Sequence, residues 1–183
     1  MRVLVDMDGV LADMDAGLER DWQALYGDEP LIPTEDRMGA HFAGGHPADR
    51  VRRLRSVAAA PGFFLSLPPI AGSVESVTAM REMGIDVFIC STPLSEYEHC
   101  VTEKYQWVEG HLGREWTRRL ILTSDKTLVR GDVLIDDKPE VKGLDVPSWE
   151  HVVFDQPYNR HVTGKRRLDW MNWRFVLLGS DEN

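Results

Sequence analysis

Apolar positions gather in short unbroken runs, with helical spacing in the chain between them. The runs Arg2 to Val5, Asp86 to Cys90, Leu120 to Thr123, Val133 to Ile135 and His151 to Phe154 are rich in Val, Ile or Leu and too short for helices, so they read as strands. Continuous runs without alternation point to strands covered on both faces, as in a parallel sheet. Ser73 to Met83 places Val74, Val77, Met80 and Met83 on one side of a helix, with Ser73 as its N-cap and Gly84 as its stop. Ser95-Glu96-Tyr97-Glu98 has the form of a capping box, opening a helix that runs to about His111, before Gly113. On that helix Tyr105 and Val108 are expected to face inward and Lys104 to be solvated. Strands alternating with helices give an α/β class, a doubly wound parallel sheet.

The first and second strands are separated by far more chain than one crossover helix needs. Asp15 to Tyr26 is helical in pattern and Gly27 to Pro33 is turn-rich. Val51 to Ala60 is helical again before Pro61-Gly62, and Pro68-Pro69 marks the return to the core. The expected organisation is a core of residues 1–13 and 70–183 carrying a small helical cap, residues 14–69, inserted after the first strand.

Charge narrows the partners. The 183 residues carry a formal net charge of -9, so the surface as a whole does not attract phosphate backbones and general nucleic-acid binding is not expected. No apolar run reaches the roughly 20 residues of a membrane span, so no membrane partner is expected. With a strand read from residue 2, no secretory leader is expected. Cys90 ends an apolar run and reads as a small core hydrophobe, and with Cys100 it makes one disulfide the most the chain could form. The expected setting is cytoplasmic and reducing. The Lys165-Arg166-Arg167 run reads as solvated surface, and Trp170 and Trp173 as packing on a terminal helix.

The chemistry lies at the strand ends. Asp6 and Asp8 follow the first run, Ser91-Thr92 the second, Lys126 the third and Asp136-Asp137 the fourth. In open α/β sheets ligands bind beyond the carboxyl ends of the strands, so hydroxyls, a cation and two pairs of acids converge at one edge. Hard oxygen ligands from a few carboxylates suit Mg²⁺, and a divalent cation explains how the acids tolerate one another. For a phosphate monoester the parts follow from charge. Asp6 is the nucleophile that takes the phosphoryl group, and Asp8 the acid that protonates the leaving oxygen and then activates water. The two are expected to project the same way from adjacent strand positions two apart. Cations and hydroxyl donors hold the phosphoryl oxygens.

These motifs, Asp-x-Asp-Gly-Val at Asp6 to Val10, a hydroxyl, a lysine and an Asp-Asp pair in that order, resemble the haloacid dehalogenase-like phosphohydrolases. Within that superfamily the chain resembles the 5'(3')-deoxyribonucleotidases. The likeness lies in PGFF at Pro61 to Phe64, VFIC at Val87 to Cys90 and EKYQWVE at Glu103 to Glu109. It continues in SDKT at Ser124 to Thr127, LIDDKP at Leu134 to Pro139, PSWEHV at Pro147 to Val152 and the Arg-Arg-Leu to Trp-x-x-Trp tail at Arg166 to Trp173. The resemblance implies a Mg²⁺ site formed by Asp6, the carbonyl of Asp8 and Asp137. It implies phosphate contacts from Ser91, Thr92 and Lys126, with Asp136 orienting the neighbouring water or lysine. It also implies a nucleoside pocket under the cap, a nucleotide as small-molecule partner, and admits a homodimer. Departures fall in that pocket: Met14 stands where an aromatic follows the first motif, and Ala40-His41-Phe42 replaces an aromatic run. The base preference stays open, and so do two other readings. One is the same chemistry on another small phosphate ester; the other is a phosphate-binding domain without catalysis.

Overall fold

The computed structural model describes residues 1–27, 29–37 and 44–179. The expected pocket residues Ala40, His41 and Phe42 lie outside these. Six parallel strands form one sheet: β1 (Arg2–Val5), β2 (Asp86–Ser91), β3 (Leu120–Leu122), β4 (Val133–Asp136), β5 (Glu150–Phe154) and β6 (Arg167–Leu168). Their order is β3-β2-β1-β4-β5-β6. The chain fills one side of β1 with β2 and β3, then crosses to build β4 to β6 on the other. Strand order therefore reverses at β1, where a crevice opens beyond the carboxyl ends of β1 and β4. The two-residue β6 had no apolar run long enough to mark it.

Alternation along β1 divides the core. Val3 and Val5 join the larger apolar cluster, with residues of the helices α3 (Ser73–Glu82), α4 (Tyr97–Leu112) and α5 (Trp173–Leu178). Leu4 joins Cys90 and Leu134 in a smaller cluster closed by Trp149. Cys90 and Cys100 are both buried and free, so neither is bridged.

The inserted chain holds α1 (Met14–Tyr26) and α2 (Ala48–Ala58). α2 starts three residues before the apolar pattern suggested, because Pro47 occupies its N-cap. Two expected caps are absent. Gly72, in the left-handed region, is the N-cap of α3, while Ser73 is buried and its hydroxyl donates to the Leu11 carbonyl at 3.1 Å. α4 begins at Tyr97 with no side-chain cap from Ser95 or Glu96; the Leu94 N–H instead reaches Cys100 Sγ at 3.5 Å, which pins the chain before the helix opens. Trp170 precedes α5 rather than lying in it, but both tryptophans pack as expected, and Trp170 Nε1 donates to the Val10 carbonyl.

Candidate active site

β1 ends at Val5, so Asp6 and Asp8 are not neighbouring strand positions as the periodicity suggested. They belong to a tight loop in which Leu11 N and Ala12 N both donate to the Met7 carbonyl, and Gly9 N returns to the Ala12 carbonyl. Gly9 sits at φ +75°, and a Cβ there would meet Asp137 Oδ2 at 3.0 Å and the Tyr158 hydroxyl at 3.1 Å. Only glycine allows that turn and that approach together.

The loop sends the two acids to different lysines. Lys126, on the turn after β3, places Nζ 2.7 Å from Asp6 Oδ2 and 2.6 Å from Asp136 Oδ2. Asp6 Oδ1 accepts from Met7 N, and Asp136 Oδ1 from Lys138 N. Lys104 points into the core from the middle of α4, with Nζ 2.6 Å from both oxygens of Asp8 and 3.1 Å from Ser91 Oγ. Its side chain is 0% exposed, against 25% for Asp8. The expected solvated lysine is thus a buried one. Tyr105, expected inside, is exposed instead. The inward face of α4 is Cys100, Glu103, Lys104, Trp107 and Val108, a stripe at helical spacing that places Lys104 among apolar residues.

Asp6, Asp136 and Asp137 each offer an oxygen within 4.8 Å of the others, and all three are buried. Burial and the nearby carboxylates push Asp6 up to about 6 against the pull of Lys126. Asp137 is driven well above the carboxylate range by burial, then by Asp136 and Asp6. Burial acts in the same sense on Asp136, but Lys126 and Lys138 outweigh it and bring that acid down to about 2. Lys126 is raised: burial opposes its charge, and Asp136 and Asp6 more than restore it. Ionised together, the three carboxylates would exceed the one buried ammonium by two negative charges, which matches a divalent cation. The donor set, hard oxygens only, fits such an ion.

Asp137 is held by the segment after β5, which no sequence motif marked. The Tyr158 hydroxyl donates to Asp137 Oδ2 at 2.5 Å, and Asn159 Nδ2 to the Asp137 carbonyl at 2.7 Å. Gln156 Nε2 donates to the Gly9 carbonyl. Arg167, expected to be solvated, bonds Asn159 Oδ1 at 2.6 Å and Asp155 Oδ1 at 2.8 Å, because β6 turns it onto the chain leaving β5.

Asp6, Asp8, Met14, Thr92 and Asp137 share the wall of one cavity of about 420 Å³ with Lys138 and Tyr158. Met14 is largely covered, and Ser91 is wholly buried behind Lys104. Phe63 and Phe64 are core residues, and the Phe64 ring lies 4.6 Å from Lys104 Nζ.

Comparison with known proteins is consistent with this geometry. Residues 1–178 match the family model described as 5' nucleotidase, deoxy (pyrimidine), cytosolic type C protein. The human cytosolic 5'(3')-deoxyribonucleotidase is 49% identical over 187 residues, covering 97% of this chain and 93% of its own length. The human mitochondrial 5'(3')-deoxyribonucleotidase is 41% identical, over 97% of this chain and 82% of its own. Among solved structures, a HAD family hydrolase from Deinococcus radiodurans with bound phosphate and sodium superposes at a TM-score of 0.60. It is 17% identical and covers 97% of this chain and 95% of its own, a likeness of fold. The chain therefore belongs to the 5' nucleotidase, deoxy (pyrimidine), cytosolic type C family, phosphoric monoester hydrolases with the haloacid dehalogenase-like fold.

Proposed function

We propose that the protein hydrolyses deoxyribonucleoside 5'(3')-monophosphates through an aspartyl phosphate on Asp6, with Mg²⁺ held by Asp6, the Asp8 carbonyl and Asp137. The observation that carries this is the convergence of Asp6, Lys126, Asp136 and Asp137 at the strand-reversal crevice, beside a cavity whose wall includes Asp6, Asp8 and Asp137. The relatives' substrates give the class, since both human proteins are named for deoxyribonucleotides.

An Asp6 oxygen attacks phosphorus; a new P–O bond forms as the bond to the nucleoside oxygen breaks, and that oxygen takes the proton of Asp8. Asp8 then accepts a proton from water as the water oxygen attacks the same phosphorus. The bond to Asp6 breaks, releasing inorganic phosphate and restoring both acids. Lys104 spans the two oxygens of Asp8 and orients it for both transfers. Lys126 offsets charge on Asp6 while Asp136 fixes the ammonium, and Thr92, on the cavity wall, offers a hydroxyl donor to the phosphoryl oxygens, whereas Ser91 is buried behind Lys104. When bound, Mg²⁺ supplies positive charge that lets the acids stay ionised beside a phosphate dianion. Residues 14–69 act as the cap that covers the nucleoside and excludes water, with Met14 on the wall beside the reacting acids.

The test is phosphate release from a panel of deoxyribonucleotides, ribonucleotides and sugar phosphates, with Mg²⁺ and with chelator. Mg²⁺-dependent release that favours deoxyribonucleotides supports the reading; equal or faster release from sugar phosphates overturns the substrate class.

A further inference from the structure

The least expected part of the site is the phenol on Asp137. Tyr158 comes from the turn after β5, on the far side of β4 from Asp6, yet its hydroxyl reaches Asp137 Oδ2 at 2.5 Å. A carboxylate on a short side chain can rotate, and one donor on one oxygen is enough to select a rotamer and leave the other oxygen for a cation. The ring has a second partner. Arg37 of the inserted chain places its guanidinium 5.5 Å from the Tyr158 ring centroid and pairs with Asp15 Oδ2 at 2.6 Å. The Arg37 side chain is only 6% exposed, so this contact is desolvated and stronger than its surface equivalent. Asp15 lies in the first turn of α1, beside Met14, and shares the reaction cavity with Tyr158. The order of contacts is therefore Asp15, Arg37, Tyr158, Asp137: two residues of the insertion, then two of the core. The exit from β5 is braced independently, since Asn159 is bonded to Phe154, Asp137 and Arg167.

We infer that Tyr158 is a positioning residue that holds Asp137 ready for the metal, and that Arg37, stacked on its ring, makes seating of the insertion and binding of the metal favour one another. This rests on the Mg²⁺ reading above and goes beyond it by naming how the insertion acts on a ligand it does not touch. Because the coupling is a free energy between two events, it works in both directions. A seated insertion tightens the metal site, and a bound metal holds the insertion.

The test is calorimetric titration of the full chain with MgCl₂, without substrate, for wild type, Tyr158→Phe, Arg37→Leu and the double variant, each checked for folding by circular dichroism and thermal melting. Tyr158→Phe keeps the ring and removes only the donor, so it separates positioning from packing. The expected result is Mg²⁺ affinity weakened about 10-fold in Tyr158→Phe, at the lower end of the range for groups behind a metal ligand. Arg37→Leu is expected to weaken it less, and the double variant to lose less than the two singles predict together, because Arg37 reaches Asp137 only through the hydroxyl that Tyr158→Phe removes. A Tyr158→Phe protein that is folded and binds Mg²⁺ as wild type does would overturn the positioning role. Strictly additive losses would overturn the link to Arg37. If Tyr158→Phe does not fold, Arg37→Leu alone decides: unchanged Mg²⁺ affinity overturns the coupling. No binding by wild type would instead overturn the metal reading itself, and this inference with it.

Discussion

The two lysines of the site make an instructive contrast. Lys126 stands between two buried carboxylates at the sheet edge. Lys104 reaches one half-buried carboxylate from inside a helix. Both are nearly inaccessible, yet on the proposed mechanism they serve opposite ends of the reaction. There Lys126 steadies the acid that attacks phosphorus, and Lys104 the acid that handles protons. Separate cations let Asp6 and Asp8, two residues apart, hold different roles. A single lysine bridging both would tie their charges together.

Removing the attacking oxygen should have the largest effect. Asp6→Asn should lower turnover by about 10⁴-fold or more while the circular dichroism spectrum is kept, since a nucleophile is removed with little change in volume. Turnover close to wild type would break the assignment of Asp6 to one side of the contrast.

Lys126→Met comes next and should act on stability as well as rate. It leaves Asp6 and Asp136 buried together without their shared cation, a loss of about 3–5 kcal/mol on the scale of broken buried pairs. Urea unfolding in chelator measures it, and saturating Mg²⁺ should recover part of the loss, because a ligand that binds only the folded state stabilises it. Chelation alone should stop wild-type turnover and lower its melting temperature.

Lys104→Met sharpens the contrast by chemistry. It should cost about 10²-fold in kcat on a nucleotide, the low end for general acid catalysis. The loss should shrink on p-nitrophenyl phosphate, whose leaving group departs without a proton. An equal loss on both substrates would place the role of Lys104 outside leaving-group protonation, in the attack of water that both share or in the fold. Met14→Phe should have the smallest effect. Added aromatic surface on the cavity wall is worth about 1 kcal/mol, or roughly a 5-fold lower KM for a nucleotide with kcat unchanged.

The same contrast explains what the sequence disclosed. Asp6, Ser91, Lys126 and Asp136 were legible because each ends or follows a strand written as a continuous apolar run, and the topology of an open sheet brings such ends together. Lys104 was not, because a charged residue in a helix interior is ordinarily solvated. Its signal was its register with Cys100, Trp107 and Val108, while the adjacent Tyr105 drew the inward face one residue too far. Tyr158, Asn159 and Gln156 follow β5, whose end lies at the same edge as those of β1 and β4, so they too stand where an open sheet binds its ligands. Arg167 was hidden by its basic neighbours, and only the pairing of β6 with β5 shows that it faces Asn159.

On the proposed mechanism Asp6 carries the phosphoryl group while Asp8, on its own lysine, does not. Acid-quench trapping during turnover of a deoxyribonucleotide, followed by mass spectrometry of the N-terminal peptide, tests it most directly. One phosphoryl group on Asp6 is expected, absent from Asp6→Asn. A phosphoryl group on Asp8, or full turnover in Asp6→Asn with no labelled peptide at all, would contradict it.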